Sequence, residues 1–177
     1  GPMYALTNAV SATQFDPANS KRKFRIAATD VIVEMVWRQL IELLEREAPG
    51  VDLHAVPYTP DGTYDDLREA HVDLAVGVLN QHDHSLRSTW LFEGGYVLAM
   101  REGHPLAGKP ITMEEFLEAR HLLVSMSGDA HGFVDSYLDQ KGQSRRIAAT
   151  VNHFSIVPQV LRETNLIAAV PELISQD

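Results

Sequence analysis

Apolar and polar positions along this chain follow two periods in alternation, one of strands and one of helices. Residues 24–29, Phe-Arg-Ile-Ala-Ala-Thr, form a short apolar run of strand type. Asp30 follows as a candidate N-cap, and Val33, Val36, Trp37, Leu40, Ile41 and Leu44 then recur at helical spacing up to residue 48. Pro49-Gly50 stops that helix. Residues 51–56 alternate and read as a second strand, Asp61-Gly62 as a turn, 64–70 as a short helix and 72–77 as a third strand. This βαβαβ order implies a parallel sheet with right-handed crossovers, and such sheets collect ligands at the carboxyl ends of their strands.

The second half resumes the alternation. Two extended runs, 86–92 and 96–101, are separated by Gly94-Gly95. Thr112 reads as the cap of a helix with an acidic first turn, Glu114-Glu115. Strands are expected at 121–125, 146–152 and 166–170, with helices at 132–141 and 155–163. Pro171 sits where a last short helix would start. The whole is an α/β protein of two lobes joined by extended crossings near 78–100. The expected division is residues 24–97 for the first part of lobe 1 and 98–177 for lobe 2, preceded by a linker at 15–23. Ahead of it, Ala5, Leu6, Ala9 and Val10 have helical spacing, the end of a helix or a frayed terminus, and Gly1-Pro2 reads as a leader left by cloning.

Composition narrows the function classes. The chain has 177 residues, enough for two small lobes with real cores, and 45% are hydrophobic. It has no cysteine, which excludes disulfides, thiolate metal sites and cysteine nucleophiles and fits a reducing compartment. A net charge of -9 repels phosphate backbones, so direct nucleic-acid binding by this segment is not expected. No apolar run approaches the roughly 20 residues of a membrane span, and no secretory leader is recognised, so a cytoplasmic location is expected.

Three strand ends carry hydroxyl residues or glycine before a helix: Thr29-Asp30, Ser125-Met126-Ser127-Gly128, and Asn152-His153-Phe154-Ser155. Free backbone N–H groups and hydroxyl donors together make an anion site, and facing sites would clamp a small carboxylate. Taken singly, Thr29, Asp30 and Ser155 are ordinary helix caps; the recurrence of the pattern favours a ligand. His153 could donate to a ligand carboxylate with the Phe154 ring against its apolar part, or be a half-buried histidine bonded to backbone. His82 and His84 lack a third metal ligand at useful spacing and read as a solvated loop. No GxSxG elbow, P-loop or GxGxxG after a strand is present, and a triad of Ser125 or Ser127 with His153 has no local support.

Taken in order, several segments resemble those of LysR-type transcriptional regulators. They are Phe15-Asp16-Pro17-Ala18-Asn19-Ser20, Phe24 to Asp30, Ala48-Pro49-Gly50-Val51, Asp73-Leu74-Ala75-Val76-Gly77, Arg101-Glu102-Gly103-His104-Pro105-Leu106-Ala107 and Leu166-Ile167-Ala168-Ala169-Val170-Pro171. The likeness covers residues 15–173, and Thr29-Asp30 with Asn152-His153-Phe154 suggests the branch of nodulation and aromatic-degradation regulators. The resemblance implies a type 2 periplasmic-binding-protein-like fold and an inducer, anionic or an aromatic carboxylate, held between the lobes. It also implies homodimers or tetramers, no cofactor, no metal and no catalysis, and promoter DNA bound through an N-terminal winged helix-turn-helix absent from these residues. Members also cross back after the point where this sequence stops, to complete lobe 1. The pocket that the resemblance implies contains Thr29, Asp30, Tyr58, Thr59, Gly77, Val78, Met100, Ser125, Ser127, His153 and Phe154. An inducer that prefers one lobe arrangement would shift the population toward it. The rival readings are an extracytoplasmic solute-binding protein of a transporter and a small hydrolase.

Overall fold

The computed structural model describes residues 14–78 and 84–175, so the expected helix end at residues 3–13 lies outside the described residues. The chain divides into two compact units, 1–28 with 32–82 and 29–31 with 83–177.

In the first unit, β1 (Lys23–Ala28) is flanked by β2 (Asp52–Pro57) and β3 (Leu74–Val76) in the order β2-β1-β3, all parallel. This is the sheet the βαβαβ pattern implies. The two crossovers carry α1 (Asp30–Glu47) and α2 (Gly62–Arg68). Ala27 and Ala28 at the inner end of β1 are buried, and Ala27 packs with Tyr58 and Val72. Polar contacts hold β3 in place: Asp73 N–H donates to the Arg25 carbonyl at 2.8 Å, and Arg25 N–H returns to the Asp73 carboxylate at 2.9 Å.

Helix α1 shows the expected stripe only in part. Val33, Val36, Trp37, Leu40 and Leu44 are half-buried, Ile41 is exposed, and no residue of the helix is fully buried. Asp30 is the first helical residue and not the cap, because its carboxylate bonds elsewhere. The helix ends where expected, with Ala48 N–H on the Leu44 carbonyl, and a Cβ at Gly50 would lie 2.5 Å from the Ser20 carbonyl oxygen. Glycine is therefore required there by close backbone approach. Helix α2 ends at Arg68, and just beyond its cap Ala70, with a φ of 58°, puts a non-glycine residue in the left-handed region at a cost on the order of 1 kcal/mol.

The second unit has mixed pairing. Strand β4 (Tyr96–Ala99) runs antiparallel to β7 (Ala168–Pro171), and β5 (Arg120–Val124) runs parallel to β6 (Arg146–Val151). A bridge between His121 and Ile167 links the two pairs. The helices are α3 (Met113–Glu118), α4 (Phe133–Gln140) and α5 (Val157–Arg162). Leu122, Val157, Leu161, Leu166, Ala168 and Val170 form its core, with half-buried Val97, Val124 and Val151 against them. Thr112 caps α3 as expected: its Oγ accepts the Glu115 N–H at 3.1 Å, and Glu115 Oε1 accepts the Thr112 N–H at 3.2 Å.

The second unit departs from expectation in three places. Residues 86–92 form no strand, and Trp90, Leu91 and Phe92 are exposed, so apolar content without a pairing partner did not make one. Ser155 does not cap α5; Ile156 occupies the cap position, without a side-chain bond, because the turn runs two residues further before the helix begins. Pro171 ends β7, and only a 3-10 turn, Glu172–Ser175, follows.

Candidate functional site

The carboxyl ends of β5 and β6 stand side by side in the second unit. The turns that follow them line a pocket of about 630 Å³. Its walls come from Ser125 to Gly128 on one side and from Thr150 to His153, Ser155 and Ile156 on the other. The parallel pairing of β5 with β6 causes this convergence, since both strands then leave the sheet at the same end.

Ser125 is only 8% exposed, and its N–H donates to the Val151 carbonyl at 2.8 Å. Among the described residues its hydroxyl has no hydrogen-bond partner, yet it is not sealed from the pocket. An O–H at a nearly buried position that keeps its bonding capacity open toward a pocket can bind a guest. Ser127, at the exposed mouth, is already engaged: its hydroxyl donates to the Asp129 carboxylate at 3.0 Å. His153 is exposed and its Nδ1–H donates to the Asn152 side-chain oxygen at 3.0 Å. The expected packing of Phe154 on His153 is not among the ring contacts of the described residues, which are Tyr96 on Phe133 and Phe116 on His121.

Asp30 joins this same unit, because residues 29–31 pack with it. One carboxylate oxygen of Asp30 accepts the Phe154 N–H at 3.0 Å and the other accepts the Ser155 N–H at 2.9 Å. Both N–H groups of this turn are thus taken by a carboxylate of the chain itself. Thr29 stands half-buried beside it, and Met100 is half-buried just after β4.

The remaining expected site residues belong to the first unit. Tyr58 is buried, and its hydroxyl donates to the Val78 carbonyl at 2.7 Å. Burial raises the Tyr58 phenol above its ordinary value, with a further push from Tyr64. A Cβ on Gly77 would lie 2.6 Å from two atoms of the Tyr58 ring, so the glycine lets strand end and ring touch. Thr59 gives its N–H to the Thr63 hydroxyl at 2.9 Å, and Val78 is exposed. A smaller hollow of about 300 Å³ in this unit is lined by Ile41, Leu44, Pro49 and residues 51–54. It lies at the start of β2, the end opposite to that which gathers ligands.

At the amino ends of β5 and β6, away from the pocket, lies a buried polar cluster that sequence reasoning missed. Arg145, its side chain 1% exposed, clamps Asp135 through Nε–Oδ1 and Nη2–Oδ2 contacts of 2.9 Å each. Asp135 also accepts the Gly132 N–H at 2.8 Å, closing the first turn of α4 on its own cap residue. Arg145 Nη1 donates to His121 Nδ1 at 3.3 Å, and His121 Nε2–H donates to the Phe116 carbonyl at 2.7 Å. With one nitrogen accepting and the other donating, His121 is held neutral. Burial and then the Arg145 charge hold it below its ordinary 6.5, against the pull of the Phe116 carbonyl. Burial opposes ionisation of Asp135, but the Arg145 guanidinium and the Gly132 N–H outweigh it and hold the carboxyl below its usual value. The only hint in the sequence was an Asp at the third position of a helix.

His82 lies outside the described residues, and among the described residues no three His, Cys, Asp or Glu side chains gather as for a metal. No described helix is long and apolar enough to cross a membrane.

Comparison with known proteins identifies the family. The sequence model of the LysR substrate binding domain matches residues 18–177. The HTH-type transcriptional activator NahR of Pseudomonas putida is 34% identical over 170 residues, which are 96% of this chain and 57% of NahR. Nodulation protein D 1 of Rhizobium tropici is 30% identical over 171 residues, 94% of this chain and 54% of its own length. The chain thus spans a little over half the length of these curated relatives. The solved structure of the probable transcriptional regulator PA0477 from Pseudomonas aeruginosa superposes with a TM-score of 0.77 at 25% identity, covering 96% of this chain and 57% of that one. That fold is the type 2 periplasmic-binding-protein-like α/β fold, and the family is one of regulators, not enzymes. This chain belongs to the LysR substrate binding domain family.

Proposed function

We propose that this chain is the inducer-sensing part of a LysR-type transcription regulator and that its inducer is a small aromatic carboxylate. The observation that carries the reading is the nearly buried Ser125 hydroxyl, without a partner among the described residues, facing a pocket of about 630 Å³ at the carboxyl ends of β5 and β6. The pocket suits a compact ring: apolar Met126, Val151 and Ile156 share its walls with Ser125, Thr150, Asn152 and Ser155. Thr29, Asp30, Ser127, His153 and Phe154 belong to the same neighbourhood. Tyr58, Thr59, Gly77, Val78 and Met100 are assigned to the site only by the family resemblance.

In the whole regulator the domain works in the cytoplasm as a homodimer or tetramer, and promoter DNA is held by an N-terminal winged helix-turn-helix. The inducer acts by its differential affinity for two arrangements of the protein, and the response can be no larger than that difference. Isothermal titration with benzoate and hydroxybenzoates tests the reading. The expected result is saturable binding that Ser125→Ala weakens by about tenfold or more, the worth of a hydrogen bond to a charged group. Silence across the panel, or equal affinity in Ser125→Ala, contradicts it.

A further inference from the structure

The Phe154 and Ser155 N–H groups are adjacent donors at the pocket turn, and each bonds a different oxygen of one carboxylate, that of Asp30, at 3.0 and 2.9 Å. This is the two-point contact by which a free carboxylate would sit on the same turn, at charge-assisted distances. Asp30 is suited to the place. It is the first residue of an 18-residue helix, where a negative charge is also favoured by the helix dipole. Ser155 lines the pocket, as does Ser125, whose hydroxyl is nearly buried and, among the described residues, unpartnered. The pocket therefore offers a guest one open donor and one donor pair that is already filled.

Two carboxylates cannot share that pair without facing each other's charge. We propose that Asp30 sets the charge preference of the pocket: it is a tethered carboxylate that competes with carboxylate inducers for the Phe154 and Ser155 N–H groups. The inference rests on the reading that the pocket receives an aromatic carboxylate, and it adds that the chain itself penalises that charge. A carboxylate guest either displaces Asp30 or binds through Ser125 alone. In both cases the native protein distinguishes benzoate only weakly from its uncharged analogue benzamide, and removing the charge at position 30 creates the distinction.

The test has two arms, each run on the native chain, Asp30→Ala and Asp30→Asn. The first titrates formate against chloride at equal ionic strength and follows the Phe154 and Ser155 amide resonances. Formate is expected to shift both amides in Asp30→Ala, standing in for the deleted side chain, and to leave them in place in the native chain. The second arm measures Kd for benzoate and benzamide. Benzoate is expected to tighten about tenfold or more in the variants while benzamide changes by less than roughly threefold. Formate shifts that are equal in native and Asp30→Ala protein, or a benzoate-to-benzamide ratio unchanged in both variants, overturn the proposal. If formate replaces Asp30 but no aromatic acid binds any of the proteins, the Asp30 assignment stands and the aromatic-carboxylate reading falls. If benzoate binds at the pocket with the ratio unchanged, the aromatic-carboxylate reading stands and the Asp30 assignment falls. Asp30→Asn keeps the side-chain shape, so the second arm survives if Asp30→Ala fails to fold.

Discussion

The strand ends of the first unit and those of the second are made from the same residue types, hydroxyls and glycines at turns from strand to helix, but they spend their bonding groups differently. In the first unit the Tyr58 hydroxyl is taken by the Val78 carbonyl, the Thr59 N–H by Thr63, and the space at Gly77 by the Tyr58 ring. In the second unit the Ser125 hydroxyl is left open, while the buried Arg145–Asp135 pair closes the opposite, amino ends of β5 and β6. Residue type does not separate a strand end that closes on itself from one that can receive a guest. The partner within reach does.

The largest effect is expected from breaking the buried Arg145–Asp135 pair of the second unit. Asp135→Asn leaves the buried Arg145 charge without its carboxylate, and urea unfolding should show a loss of about 3–5 kcal/mol. A loss near zero would mean that the buried ion pair does not hold the second unit together.

Acid should act on the same cluster. His121 is held below 6.5 in the folded chain, so over the window below 6.5 the unfolded chain binds more protons. Its contribution is full above 6.5 and is lost as the pH falls from there toward the lowered native value. Asp135 adds a second loss further down, below 3.8, as the pH passes through its own depressed value. Unfolding midpoints in urea should therefore fall on mild acidification, and His121→Gln should flatten the first part of that slope.

On the other side of the comparison, Gly77→Ala forces a methyl to within 2.6 Å of the Tyr58 ring. The expected loss is about 1–3 kcal/mol, and less in a Tyr58→Ala background, where the ring is gone. Equal losses in both backgrounds would show that the ring is not what fills the first unit's strand end. The smallest effect is expected at Thr112→Ala, about 1 kcal/mol by thermal unfolding, since it removes one cap far from either set of strand ends.

Much of the fold was legible because it is local. The βαβαβ period, the stop at Pro49-Gly50 and the Thr112–Glu115 box are each written within a few residues. One of the segments that carried the family likeness is also fixed by polar contacts to the residue that precedes another. Arg101 donates to the Asn165 side chain, and His104 accepts the Leu106 N–H while donating to the Asn165 carbonyl, so residues 101–107 and 165 are one bonded corner. What was not legible depends on distant partners. Residues 86–92 have strand composition but found no strand to pair with. Asp30 has the sequence of a cap and bonds residues 124 and 125 positions away. His121, Asp135 and Arg145 meet only once β5, α4 and β6 have assembled. Ser125 and Ser127 were marked alike as candidates, and nothing local separates the open hydroxyl of Ser125 from that of Ser127, which Asp129 takes.

The most direct test of the pocket is an amide-resonance map of the labelled chain titrated with the tightest-binding hydroxybenzoate. Shifts concentrated at residues 125–128 and 150–156 are the expected result. Saturable binding whose shifts fall instead around the hollow at 41–54, with 125–128 unmoved, would contradict the account.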